Sequence, residues 1–210
     1  MLKANVAVLV SGGGTNLQAL IDAQRSGLLP GGEIKVVVSS RAEAFALERA
    51  KTAGIPAVAL ERKSYPSREA FETDLLGVLN RYSIDVLVLA GFLCILSPSF
   101  VAKYPRRILN VHPALLPAFG GPGFYGLKVH EAALKQGVKV TGATVHYVDE
   151  VTDGGEILLQ KAVRVLKGDT PETLQQRVMR EAEWVLLPKA VQLVCQRVIK
   201  ERQPVLFRPQ

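Results

Sequence analysis

Asn5-Val6-Ala7-Val8-Leu9-Val10-Ser11-Gly12-Gly13-Gly14-Thr15-Asn16-Leu17 decides the fold class. Asn5 to Val10 is a short run rich in β-branched residues, and Leu17, Leu20 and Ile21 beyond the glycines have helical spacing. Strand, glycine loop and helix therefore follow one another directly. Thr15 is expected as the N-cap, with Gln18 three positions on, close to the capping-box pattern. Backbone N–H groups freed by glycine approach an anion closely, and the helix N-terminus adds its partial positive charge. The loop reads as a phosphate cradle, and it also fits a glycine connection that holds no ligand. It matches neither G-x-G-x-x-G nor the P-loop ending in Gly-Lys-Ser/Thr, so neither dinucleotide binding nor NTP hydrolysis is supported.

The same unit recurs downstream. Ile34 to Ser39 is the second strand, Ala42 to Ala53 a helix stopped by Gly54, and Ile55 to Leu60 a short third strand. Ser67 caps a helix through Phe71, Leu75, Val78 and Leu79, and Asp85 to Leu89 is a near-continuous apolar strand. Strands and helices in alternation define an α/β fold with a doubly wound, mostly parallel, Rossmann-like sheet, whose ligands lie beyond the C-terminal strand ends. Ser97 to Tyr104 is expected as a short helix with Pro98 in its first turn. Phe119 to Gly126 is too glycine-rich for a packed element and reads as a mobile lid or substrate loop. Leu127 to Leu134 resumes helical patterning, which Gly137 ends.

From Val140 the period becomes two, with Thr144, His146 and Val148 on one face, and Glu156 to Val165 is the return strand of an antiparallel hairpin. The acidic loop Asp149-Glu150-Val151-Thr152-Asp153-Gly154-Gly155 joins them. Thr170-Pro171-Glu172 opens a long C-terminal helix that passes Trp184 and is expected to break at Pro188, and the tail after Pro204 should pack little. One domain over 1–210 is expected, with a phosphate-binding βα half at 1–112 and a hairpin-and-helix half at 113–210.

Leu109-Asn110-Val111-His112-Pro113-Ala114-Leu115-Leu116-Pro117 is the central apolar run meeting proline. As the end of a buried strand it points Asn110 and His112 the same way and Val111 into the core. Pro113 cannot donate a ladder hydrogen bond, so the strand opens into a loop there. An amide donor beside an imidazole at a strand end suits catalysis, and it equally suits a pair of side chains satisfying a turn.

Composition narrows the class. With 48% hydrophobic and 21% charged residues the chain suits an ordinary globular core. No run approaches the roughly 20 apolar residues needed to span a bilayer, and the N-terminus reads as a strand and not a signal peptide. Cys94 and Cys195 are too few for a disulfide framework, which points to a reduced, cytoplasmic setting. The net charge of +7 is scattered, without a dense basic run beside aromatics, so no nucleic-acid partner is expected, and Arg197, Lys200, Arg202 and Arg208 read as a solvated basic terminus. A positive field also gathers small phosphorylated or polycarboxylate substrates. The three histidines lack metal-ligand spacing, so no metal is expected.

Taken with Leu89-Ala-Gly-Phe-Leu, Ile95-Leu-Ser-Pro and Asp153-Gly-Gly, these motifs make the chain resemble the phosphoribosylglycinamide formyltransferases, folate-dependent enzymes of purine synthesis, from about residue 4 to about 190. The resemblance implies formyl transfer from 10-formyltetrahydrofolate, as co-substrate, to the amino group of 5-phosphoribosylglycinamide, by a monomer or homodimer. It carries catalytic roles onto Asn110, His112 and Asp153. Ribonucleotide binding falls on Gly14, Thr15, Asn16, Gly91, Pro113 and Glu183, with Glu181 an alternative to Glu183 because the last helix shows a one-residue offset. Folate binding falls on Arg68, Leu93, Cys94, Ile95, Leu96, Val101, Asp149, Glu150 and Val151, which makes 113–210 the folate side. Cys94 stands where some relatives have arginine.

The chemistry asks for donors at the developing oxyanion and a proton route, which Asn110 and His112 supply, with Asp153 expected to raise the His112 pKa. His146 is expected to make a structural hydrogen bond. The rival readings are a 10-formyltetrahydrofolate hydrolase or a methionyl-tRNA formyltransferase-like enzyme, whose families carry further domains. A more distant one is a non-catalytic phosphate-ligand binding protein.

Overall fold

The structure is a computed structural model that describes residues 2–202; the tail after Pro204, and with it Arg208, lies outside them. Seven strands form one sheet: β1 (Ala4–Val10), β2 (Gly32–Ser39), β3 (Ala57–Ala59), β4 (Val86–Leu89), β5 (Ile108–His112), β6 (Val140–Tyr147) and β7 (Ile157–Arg164). Their order is β3-β2-β1-β4-β5-β6-β7. The first five pair in parallel, and β6 and β7 add an antiparallel edge. The helices are α1 (Thr15–Arg25), α2 (Phe45–Thr52), α3 (Arg68–Arg81), α4 (Pro98–Val101), α5 (Leu127–Gln136), α6 (Pro171–Val178) and α7 (Trp184–Arg202).

Alternate strand residues feed two cores. Val6, Val8, Val88, Leu109 and Val111 pack with Leu17, Leu20 and Ile21 of α1 and Leu187, Val191 and Val194 of α7. Ala7, Leu9, Leu87, Leu89 and Ile108 pack on the opposite face with Phe71, Leu75 and Leu79 of α3 and Phe100 of α4. The period-two pattern explains both faces of β5: Leu109 and Val111 enter the first core, while Ile108, Asn110 and His112 share the second face and turn polar as the strand ends.

Four expected boundaries are corrected. Gly14, not Thr15, caps α1: at φ +72° its carbonyl takes the Gln18 N–H at 2.9 Å, and no side chain caps the helix. A Cβ at Gly14 would sit 2.6 Å from the Ala46 Cβ, so glycine is needed for both the turn and the approach of α2. The second helix begins at Phe45 and not Ala42, because the Ser39 hydroxyl binds the Arg41 carbonyl and N–H at 2.7 and 3.1 Å and holds a turn there. The third strand shrinks to Ala57–Ala59, the residues that reach β2. The helix expected to Tyr104 ends at Val101, since Pro105 follows Tyr104 and disfavours helical geometry before it.

The C-terminal helix does not break at Pro188. It runs to Arg202, and a π turn at Met179–Glu183 separates it from α6. Trp184, four residues before the proline, has ψ −15°, which swings its carbonyl from the position the ring would strike. The wide turn thus absorbs the proline.

Candidate active site

The switch in strand order lies between β1 and β4, and the glycine loop, Gly91 and the end of β5 share that edge. Register sets the first contact: Asn110 lies opposite His146 in the β5–β6 pairing. The His146 Nδ1 donates to its neighbour Tyr147's carbonyl at 2.8 Å, which leaves Nε2 to accept from Asn110 Nδ2 at 3.1 Å. The hairpin loop then folds back along β5, and Asp153, at φ +57°, brings Oδ1 to 3.4 Å from Asn110 Nδ2 and Oδ2 to 3.4 Å from His112 Nδ1. Both amide hydrogens of Asn110 are thereby engaged.

His112 is buried, and its Nε2 lies 2.7 Å from the Phe119 carbonyl. The carbonyl asks for a proton on Nε2 and the carboxylate for one on Nδ1, so both partners favour the imidazolium. Burial is nevertheless the largest influence and holds the His112 pKa below its ordinary value, with Asp153 and Phe119 opposing it. This corrects the expectation that Asp153 keeps the ring charged: His112 rests neutral, close to two groups that stabilise it once protonated. Asp153 shows the reverse balance. Burial raises its pKa, but the His146 ring, whose Nε2 lies 3.6 Å from Oδ1, and the Gly121 N–H, which donates to Oδ2 at 2.9 Å, together with the charge the imidazoles carry once protonated, leave it below the ordinary value.

The residues expected at the ribonucleotide fall into two groups. Asn16 is buried, and its Nδ2 donates to Glu183 Oε2 at 2.6 Å, across 167 residues. Glu183 is buried and pushed up to about 7 by burial, the Asn16 amide opposing; Glu181 is exposed, so of the two glutamates offered by the sequence it is Glu183 that meets Asn16. Gly14 and Thr15 lie beside this pair, whereas Gly91, at φ +73°, and half-buried Pro113 lie at the ends of β4 and β5. Thr15 also lines a groove of about 640 Å³ between α1 and α7, walled by Ala19, Leu28, Trp184 and Pro188, which contains none of Asn110, His112 or Asp153.

Of the residues expected at the folate, Leu93 and Ile95 are exposed on the loop after β4, Leu96 is buried, and Cys94 and Val101 are half-buried. Arg68 opens α3 with its Nε 3.9 Å from Glu69, and one turn on the buried Glu72 carboxylate takes the Ser97 N–H at 2.6 Å. Asp149, Glu150 and Val151 are exposed on the hairpin, and no side-chain hydrogen bond joins them to residues 93–96 among the described residues.

Sequence reasoning missed the supports. Thr144 Oγ1 donates to the Ala114 carbonyl at 2.7 Å and accepts from Leu116 N–H and Gln160 Nε2, both at 3.0 Å, which fixes the turn after His112. Thr144 was legible as a face-mate of His146; nothing in the sequence marked Gln160. The bond of His146 to Asn110 was also missed, though the shared strand face hinted at it.

A doubly wound sheet here gathers an amide, a buried imidazole and a carboxylate beside an anion-suited loop, an arrangement whose donors and proton acceptor suit acyl-type group transfer. The chain belongs to the formyl transferase family, whose family model matches residues 4–191. It is 43% identical to the phosphoribosylglycinamide formyltransferase of Escherichia coli (strain K12) over 177 residues, 84% of this chain and 81% of that protein. It is 47% identical over 200 residues to the trifunctional purine biosynthetic protein adenosine-3 of Bos taurus, covering 94% of this chain but 19% of that protein. The chain thus spans about a fifth of the trifunctional relatives. Among solved structures, glycinamide ribonucleotide transformylase 1 from Symbiobacterium toebii superposes with a TM-score of 0.86 at 44% identity, over 93% of this chain and 89% of that one.

Proposed function

We propose that this chain transfers the formyl group of 10-formyltetrahydrofolate to the amino group of 5-phosphoribosylglycinamide. The observation that carries the reading is the convergence of Asn110, His112 and Asp153 from a strand end and a distant loop, in a chain similar to enzymes named for this substrate. The glycine loop and the Asn16–Glu183 pair hold the ribonucleotide, and residues 93–96 with 149–151 flank the pterin.

In the reaction the neutral amine adds to the formyl carbon, giving an alkoxide oxygen and an ammonium. Asn110 turns an N–H from Asp153 to that oxygen, exchanging a 3.4 Å bond for a charge-assisted one. The ammonium loses its proton, the folate N10 gains one as the C–N10 bond breaks, and the formamide is left. His112, neutral at rest, takes the proton that the ammonium loses, and Asp153 and the Phe119 carbonyl hold the imidazolium until it gives that proton to N10.

The reading carries with it two small-molecule substrates, a cytoplasmic setting and one functional unit over the chain, without a nucleic-acid partner. A spectrophotometric assay with 10-formyltetrahydrofolate, with and without 5-phosphoribosylglycinamide, tests it. Turnover only with both is expected; formate release without the ribonucleotide points to a hydrolase and overturns it.

A further inference from the structure

We propose that Ser11 is a positioning residue that couples the two substrate half-sites, so that filling the wall at 93–96 tightens binding at the glycine loop; the proposal rests on the formyl-transfer reading above. Ser11 follows β1 directly and precedes Gly12. It is 2% exposed, and its Oγ accepts the Leu93 N–H at 2.9 Å, across 82 residues. The same Oγ lies 2.6 Å from the Ser40 Oγ. Ser40 is itself fixed, its N–H on the Val10 carbonyl at 3.1 Å and its own carbonyl accepting from Arg62 at 3.3 Å. Two buried hydroxyls at the root of the glycine loop, Ser40 backing Ser11, therefore hold the first residue of the folate wall.

The alternative routes between the half-sites are few. The wall segment is anchored at its far end on α3, where the buried Glu72 carboxylate binds the Ser97 N–H and hydroxyl. The glycine loop is anchored on α2, where Ala46 N–H and Arg49 Nε bind the Gly12 and Gly13 carbonyls at 3.1 and 2.8 Å. Each of these anchors serves one side alone. Among the hydrogen bonds of the described residues, the Leu93–Ser11 bond joins the two segments directly. A ligand that immobilises Leu93 also fixes the Ser11 oxygen, and the Gly12 N–H is one peptide away. A second ligand then meets a loop already ordered, and by linkage the effect is reciprocal.

The test is calorimetric titration of the full chain with 5-phosphoribosylglycinamide, alone and with saturating 5,8-dideazafolate, which has no formyl group and permits no turnover. The wild-type Kd for the ribonucleotide is expected to fall roughly fivefold or more when the folate analogue is bound. In Ser11→Ala the factor is expected to fall to about one while each ligand alone still binds, because the link and not either half-site is lost. A merely structural role would lower the Tm and weaken both binary affinities without changing the factor.

Ser40→Ala, which keeps the Leu93 bond but removes its backing, is expected to give a reduced factor and serves if Ser11→Ala does not fold. Retention of the full factor in Ser11→Ala, or in Ser40→Ala where Ser11→Ala does not fold, overturns the proposal. So does a wild-type protein that binds both ligands independently. A wild-type protein that binds neither overturns the formyl-transfer reading and the coupling together.

Discussion

Asn110 and His112 are two residues apart on one strand, yet they stand in different electrostatic situations. Asn110 has spent both amide hydrogens, on His146 and Asp153, and its role depends on exchanging the weaker bond for the developing oxyanion. His112 is neutral because burial outweighs a carboxylate 3.4 Å away. Loss of an oxyanion donor or an acid-base group costs roughly 10²–10³ and 10²–10⁴ fold respectively. Asn110→Ala and His112→Ala are expected to lose kcat in those ranges with unchanged melting; near-wild-type turnover in either would remove the site assignment. Asp153→Asn removes the larger of the two groups that oppose burial and leaves only the Phe119 carbonyl, so an NMR titration should show the His112 pKa falling further, and an unchanged value would mean the two do not interact. The residue types of this site were legible in the sequence. The resting charge of His112 was not, because burial acts through every neighbour that excludes water, and no local pattern encodes it.

Among the elements, the β6–β7 hairpin carries the site's least predictable geometry. Tyr147 and Ile157 flank a loop that doubles back over β5, and a Cβ on Gly155 would stand 1.8 Å from the Tyr147 carbonyl oxygen. Gly155→Ala is thus expected to shift the loop and Asp153 with it, lowering both kcat and melting temperature. Wild-type values for both would show that the loop is not held at this point. The hairpin itself was readable from period-two alternation, and its register followed from which face is buried. The fold-back was not, since it is set by the Gly121 N–H and by a left-handed Asp153. The π turn before α7 shows the same division. Sequence marked a proline and an offset of one residue, but whether the helix broke or widened was decided by packing, with Ala182 and Glu183 buried at the turn and Leu186 and Leu187 buried just after it.

At the scale of the molecule, two buried groups set opposing pH limits. His130 is pulled down to about 4 by burial, assisted by the His112 charge. Its ordinary value is about 6.5, so between the two the unfolded chain binds the extra proton and stability is lost as pH falls from about 6.5 to about 4. Glu183, raised to about 7 by burial, acts in reverse: its contribution is full below about 4.5 and is lost as pH rises through about 7. Glu183→Gln cannot ionise and is expected to lose less stability than wild type between pH 5 and pH 8, by about 3 kcal/mol at most. Denaturant midpoints at the two pH values measure this, and equal losses in both proteins would show that Glu183 does not ionise in that window. The sequence alone determined the alternation of strand and helix, the sheet class and the residue types at its C-terminal edge, because hydrophobic period and glycine or proline punctuation act over a few residues. Only the tertiary structure decided that Asp153 reaches His112, that Glu183 faces Asn16 and that Ser11 holds Leu93. Those contacts join residues 41, 167 and 82 positions apart, and burial, register and the path of the connecting loops bring them together.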